Sequence, residues 1–264
     1  MIATYRALLI SQFQVNAQYR VAMYLYVLFS FVRPVVFLAA WSAVSIARGG
    51  SVGGYAIEDL AAYYLALTVV MHLTMSWNKY EFEFEIRFGR LSPKLMRPLH
   101  PLHYSVAGNI TWKLFTGLGV VPVLAIVALT FHPRFETQWW HLALFVPSVL
   151  VAAALAFFLD WIVATSAFWT TRVHALATVV DRTAFIFAGQ IAPLALMPGP
   201  LQAIAYVLPF GYILGAPAEI LRGAITLDSA LPLVAGQVVW LVLAVAAYRV
   251  LWRAGLRAFS AVGI

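Results

Sequence analysis

Cysteine is absent from all 264 residues. That excludes a disulfide frame, thiol catalysis and any cysteine metal site, and it leaves the redox compartment undetermined. Charge is almost as scarce: Asp, Glu, Lys and Arg make up 10% of the chain and apolar residues 63%, against about 25% and about 45–50% in soluble domains. Too few polar side chains are present to cover a water-exposed surface, so a soluble globular domain is excluded. Acid is the scarcer sign, with 10 residues against 17 basic ones and a formal charge of +7. No G-x-x-x-x-G-K-[ST] phosphate loop and no H-E-x-x-H occurs, so neither nucleotide hydrolysis nor zinc-protease chemistry has its residues here. The intramembrane serines lack a nucleophile elbow, and there is no internal repeat or low-complexity segment. The stretch MIATYRALLISQFQVNAQYR lacks a long apolar core followed by a small-residue cleavage site, so a removable signal peptide is not expected.

What the chain does have is apolar runs long enough to cross a bilayer, which takes about 20 residues. They lie at 21–47, 60–77, 104–131, 141–169, 173–197 and 229–252. Eleven Lys and Arg fall at one set of ends (Arg6, Arg20, Lys79, Arg87, Arg90, Lys94, Arg97, Arg172, Arg249, Arg253, Arg257) and three at the other (Arg48, Arg134, Arg222). By the positive-inside rule both termini face the cytoplasm. The basic residues thus read as topology signals, not as a nucleic-acid surface. The expectation is one compact membrane domain over 1–264, all-α, with six transmembrane helices in the cell's cytoplasmic membrane.

Two stretches disturb this simple pattern. Residues 200–222, PLQAIAYVLPFGYILGAPAEILR, are apolar but broken by Pro209 and Pro217, leaving pieces too short to cross. A re-entrant hairpin before span six is the preferred reading, with a kinked seventh span as the alternative; irregular backbone at that depth needs protein or a water-filled cavity around it. The second stretch is NKYEFEFEIRFGRLSPKLMRPLHPLH, from Asn78 to His103. Lys79, Glu83 and Arg87 form an i, i+4 ladder. Gly89 stops the first helix, Ser92 caps a second with Pro93 at its first position, and Pro98 ends it. Such a loop either serves only as a solvated topology signal or forms a rigid basic knob that a soluble partner can grip. Residues 1–20, with Tyr5, Leu9, Phe13 and Ala17 at four-residue spacing, suggest an interfacial helix on membrane lipid. The Gly-rich stretch RGGSVGG at 48–54 reads as an exposed flexible turn.

The segment from Ile86 to Ala107 resembles the cytoplasmic loop of type-2 ATP-binding-cassette exporter permeases. The segment from Phe187 to Gly223 resembles their hallmark region, with Gly189, Pro193, Pro198, Pro209, Phe210 and Gly223 matching residue by residue. The resemblance implies a permease subunit without catalytic, cofactor or metal residues of its own. It also implies a dimer with an identical or related permease, and separate ABC ATPase subunits that bind ATP and Mg. The loop residues Gly89, Arg90, Leu91, Ser92, Pro93, Lys94, Leu95, Arg97 and Pro98 would then couple the ATPase to a cytoplasmic coupling helix between spans two and three. No nucleic acid enters this reading.

Charges inside membrane segments are functional candidates by default. They are Arg33 before Pro34, Asp160 late in span four, and Asp181 with Arg182 early in span five. Pairing or snorkelling accounts for the last three; Arg33 sits deeper and reads as an inter-subunit anchor or a substrate contact. The rival functions are an ion-coupled carrier or channel in which Asp160 and Asp181 handle protons or cations, and a membrane scaffold. Gly211 and Gly215, a G-x-x-x-G pair, read as close packing inside the hairpin.

Overall fold

The computed structural model describes residues 2–170 and 172–259, Ser30 by its backbone only; residues 260–264 of the expected domain lie outside the described residues. Helices α1 (Ile2–Gln18) and α2 (Arg20–Ala47) lead to a short hairpin, β1 (Ser51–Val52) with β2 (Tyr55–Ala56). Then follow α3 (Ile57–Thr74), α4 (Asn78–Arg87), α5 (Leu91–Leu95), α6 (Leu102–Phe131) and α7 (Trp139–Thr165). The chain closes with α8 (His174–Phe187), α9 (Gly199–Val207), α10 (Phe210–Ile213), α11 (Gly215–Arg222) and α12 (Leu227–Ala258). Among the described residues five helical stretches are long and apolar enough to cross a membrane: 20–47, 57–87, 102–131, 139–168 and 227–258. A sixth is reached if 199–207 and 210–222, bent by 73°, count as one.

The centre of the bundle is α3. It is apolar on every side, and a helix of that kind is buried on every side: Leu60, Tyr63, Leu67 and Val70 are fully enclosed, with Leu38, Val127, Leu214 and Ala218 against them. A second core closes the end that carries α5. There Phe82, Leu91, Trp161, Tyr248 and Trp252 form one mesh, with the Phe82 and Trp161 rings 4.9 Å apart. At the opposite end, the loop between α6 and α7 is tied to two helix ends: Arg134 N–H donates to Glu58 O in α3 (3.0 Å) and Glu136 N–H to Arg222 O in α11 (3.0 Å).

Three expectations are altered. The apolar run at 173–197 is helical only over the 14 residues of α8, roughly 21 Å at 1.5 Å per residue. Gly189 stops it with φ +85°, and the freed carbonyls are taken by aromatic donors: Tyr63 Oη reaches Gly189 O at 2.8 Å, while Tyr64 Oη and Trp41 Nε1 both reach Ile191 O at 2.7 Å. That is how non-helical backbone becomes tolerable between helices in an apolar setting. The chain then reaches the far end, where Leu196 touches Gly53. It next turns back, so that Gly211 lies beside Phe187 O and Ala205 O.

The glycine stretch 48–54 is not a loose turn. Ser51 and Val52 pair with Ala56 and Tyr55 across Gly53 and Gly54, both at positive φ (56° and 86°), which is the two-residue turn that matches strand twist. Finally, α1 packs along the first turns of α6, through Tyr5 Oη and His103 Nδ1 (2.5 Å) and the Phe13 and Phe115 rings (5.6 Å). Its buried face includes Asn16, while Phe13 is half exposed. Tyr5, Leu9 and Ala17 are partly buried as well, so the four-residue stripe is turned toward α6, with Phe13 at its edge.

Candidate functional site

The break between α3 and α4 at residues 75–77 leaves the first N–H groups of α4 without helical partners, as at every helix start. Asp160, from α7, supplies the cap: its Oδ2 accepts from Lys79 N–H (3.1 Å) and from Ser76 Oγ (3.2 Å). Its Oδ1 lies 3.2 Å from Lys79 Nζ. The same ammonium reaches Asp181 Oδ1 on α8 at 2.6 Å. Lys79 and Asp160 are buried, whereas the Asp181 side chain is 49% exposed. One lysine therefore fastens α4 to both α7 and α8, and two of the expected intramembrane charges are brought together. Lys79 itself is a correction. It points into the protein instead of standing as the first rung of an exposed ladder, because at the start of α4 the ladder's face is covered by α7 and α8, which carry Asp160 and Asp181.

The rest of that ladder is present. Arg87 Nη1 bonds Glu83 Oε1 at 3.2 Å, and Glu83 Oε2 also accepts from Val173 N–H (3.1 Å) at the entry to α8. Gly89 takes φ +66°. Arg90 N–H then donates to Glu85 O (2.8 Å) and Gly89 N–H to Ile86 O (3.2 Å), the paired closure that satisfies the last carbonyls of α4. The start of α5 differs from the expectation by two residues: the cap is Arg90, and Ser92 and Pro93 lie inside the first turn. Leu91 sets this, being fully buried against the aromatic mesh. Proline is accepted at the third position because first-turn N–H groups have no helical acceptor. The helix ends at Leu95, before Arg97 and Pro98, both exposed.

Behind this knob Lys94 pairs with Glu85 and lies over the Tyr104 ring at 4.9 Å, while Arg97 Nη1 reaches Tyr104 Oη at 3.4 Å. The His100 ring packs on Trp252 at 4.7 Å; burial, and secondarily His103, lowers its pKa below the ordinary histidine value. In front, the knob presents apolar side chains: Phe84, Phe88 and Met96, the last 85% exposed. The two rings stand 4.3 Å apart, with the Arg90 guanidinium 4.8 Å over Phe84 and Arg87 5.7 Å over Phe88. An aromatic pair edged by two arginines on a braced segment is suited to seat another protein. Sequence reasoning missed Phe84, Phe88 and Met96; the readable signal was three large apolar residues in the most charged stretch of the chain.

The hallmark residues all stand at helix breaks. Gly189 ends α8, and an added Cβ there would strike the Tyr63 hydroxyl. Pro193 precedes the 3₁₀ turn Leu194–Leu196, Pro198 precedes α9, and Pro209 precedes α10, which Phe210 begins. Gly223 closes α11 at φ +84° against the backbone of Glu136 and Thr137. Gly211 and Gly215 both contact Leu194 within the same chain. Arg33 lies over the Phe185 ring at 4.9 Å and reaches Gln190 Oε1 at 3.4 Å. Arg182 is exposed and makes no ion pair among the described residues. No group of three or more His, Asp or Glu side chains is placed to hold a metal among those residues.

The sequence model of the ABC-2 family transporter proteins matches residues 24–263, from the start of α2 through every later element. A comparison with curated proteins gives no match. The chain belongs to the ABC-2 transporter family: it is an all-α, multi-pass membrane protein and a permease component of an ABC transporter.

Proposed function

We propose that this ABC-2 family chain is the permease of an ATP-driven exporter, seated in the cytoplasmic membrane with α5 and both termini inside. It docks a separate ATPase subunit through α4 and α5. ATP and Mg bind that partner, and two permeases, identical or related, enclose the path of the cargo. The observation that carries this reading is the knob: Phe84 and Phe88 exposed beside Arg90 and Arg87, with Met96 exposed at the end of α5, on a segment held from behind by Lys79, Asp160 and Asp181. Nucleotide can drive transport only by favouring one permease arrangement over another. A push on α5 passes through α4 to α7 and α8 by way of Lys79, so those helices move with the knob. The segment 199–222 serves as a re-entrant hairpin at the outer face.

The ion-coupled alternative asks for a carboxylate free to exchange protons or cations. Asp160 instead has both oxygens committed, to Lys79 and Ser76. The test is co-purification with a candidate ABC ATPase subunit, comparing wild type with Met96→Asp, Leu95→Asp and Arg97→Glu. Losing a buried Met contact of roughly 1.5–3 kcal/mol weakens binding about 10- to 100-fold. The expected result is release of the ATPase or loss of transport with the permease still inserted. Unchanged assembly and transport in all three variants overturns the coupling assignment.

A further inference from the structure

Between α10 and α11 on one side and the first turns of α12 on the other lies a cavity of about 440 Å³. Its wall is small and apolar, built from Ala205, Gly211, Gly215, Ala216 and Leu233. One end is polar. Glu219 Oε1 accepts from Tyr55 Oη (3.2 Å), and its Oε2 accepts from Arg222 Nε (2.9 Å) and lies 2.9 Å from Arg222 Nη2. The Arg222 guanidinium covers the Tyr55 ring at 4.8 Å. Size and character match small-molecule sites, which run about 300–1,000 Å³ with apolar walls and few polar groups. A water cluster is poorly served, since most of the lining offers it no hydrogen bond.

The polar end narrows the occupant. Both Glu219 oxygens are engaged, whereas a guanidinium carries five N–H donors and, among the described residues, Arg222 spends its side-chain bonds on Glu219. A cationic head would compete with Arg222 for Glu219, and an anionic head with Glu219 for Arg222. Either would break a largely buried pair, which is unfavourable. An uncharged acceptor uses the spare donors and leaves the pair intact.

We propose that this cavity binds an amphipathic molecule with an uncharged, hydrogen-bond-accepting head, such as an ester carbonyl, set against Arg222 with its apolar body along the alanine and glycine wall. The site belongs to the permease alone, so its failure and that of ATPase docking are separate results. The experiment uses the full chain in phosphatidylcholine nanodiscs and a monoacylglycerol carrying a diazirine on its acyl chain, with labelled peptides mapped by mass spectrometry. Labelling is expected within 205–216 and 229–233, displaced by unlabelled monoacylglycerol but not by a fatty-acid anion or an alkyltrimethylammonium of equal chain length. It should be lost in Ala216→Trp or Leu233→Trp, whichever elutes as a folded species, since both fill the cavity without touching the ion pair. Undiminished labelling in the folded variants, labelling spread evenly over bilayer-facing residues such as Leu118 and Val250, or equal displacement by the charged amphiphiles overturns the proposal.

Discussion

Lys79, Glu83 and Arg87 share one face of α4, and what separates their roles is how far that face is covered: Glu83 and Arg87 pair with each other near the surface, while the Lys79 ammonium lies between Asp160 (3.2 Å) and Asp181 (2.6 Å). Removing one partner of a buried pair strands the other charge, at a cost of about 3–5 kcal/mol. Lys79→Met is therefore expected to lower unfolding stability by about that amount, because Asp160 stays buried. Asp160→Asn should cost less, about 1–3 kcal/mol, since the amide oxygen can still accept from Ser76 and Lys79 N–H while Asp181 retains the ammonium. Thermal unfolding in detergent of both single variants and the double variant measures this. Equal losses in the two single variants would show that the stranded charge is not the cause. The sequence marked Asp160 and Asp181 as costly enough to need partners, but not which partner. Pairing was legible as a necessity and illegible as a geometry.

The same division holds for whole elements. Hydropathy located α2, α6 and α7 to within four residues, and α12 to within two at its start and six at its end, because a long apolar helix is the standard way to satisfy backbone in lipid. It extended α8 ten residues too far, to 197, whereas the helix ends at Phe187. Nothing in the apolarity of 173–197 marks that stop. It depends on hydroxyl and indole donors that come from α2 and α3 and replace the missing helical bonds. Two of those donors make a testable contrast. Gly189 O accepts from Tyr63 Oη, whereas Ile191 O has both Tyr64 Oη and Trp41 Nε1. Tyr63→Phe leaves a buried carbonyl unpaired and should cost about 1–3 kcal/mol; Tyr64→Phe leaves Ile191 O with Trp41 and should cost clearly less. Chemical denaturation of the two variants compares them, and a larger loss for Tyr64→Phe would contradict this account of how α8 ends. The knob was legible differently. The closure at Gly89 follows from glycine alone, while the start of α5 shifted by two residues because Leu91, not Ser92, is what the core holds.

For the molecule as a whole, orientation is the quantity that charge distribution and chain path must decide together. Around α5 lie Arg87, Arg90, Lys94 and Arg97, and the aromatic mesh brings the Arg249, Arg253 and Arg257 end of α12 beside them through Trp252. The opposite end has Arg48, Arg134 and Arg222, and Arg222 is neutralised by Glu219. Taking Lys79 out of the count, because it is buried, leaves the asymmetry standing, and the proposed orientation, with the α5 end in the cytoplasm, rests on it. The path adds a second constraint: α8 leaves the α5 end beside Glu83, Leu196 reaches Gly53, and Ile225 O accepts from His141 Nε2 (3.1 Å) just before α12 begins. Residues 51 and 229 must then face one side and residue 96 the other. Because the chain has no cysteine, single substitutions report this without background. Ser51→Cys and Ser229→Cys should react with a membrane-impermeant maleimide on intact cells, and Met96→Cys only in inverted vesicles. Reaction of Met96→Cys on intact cells would reverse the orientation and remove the ATPase docking site with it. Opposite reactivity of Ser51→Cys and Ser229→Cys would instead mean that the chain between α7 and α12 crosses an even number of times, with α8 and the bent pair α9–α11 both crossing or neither, and would refute the single passage from α8 through Leu196.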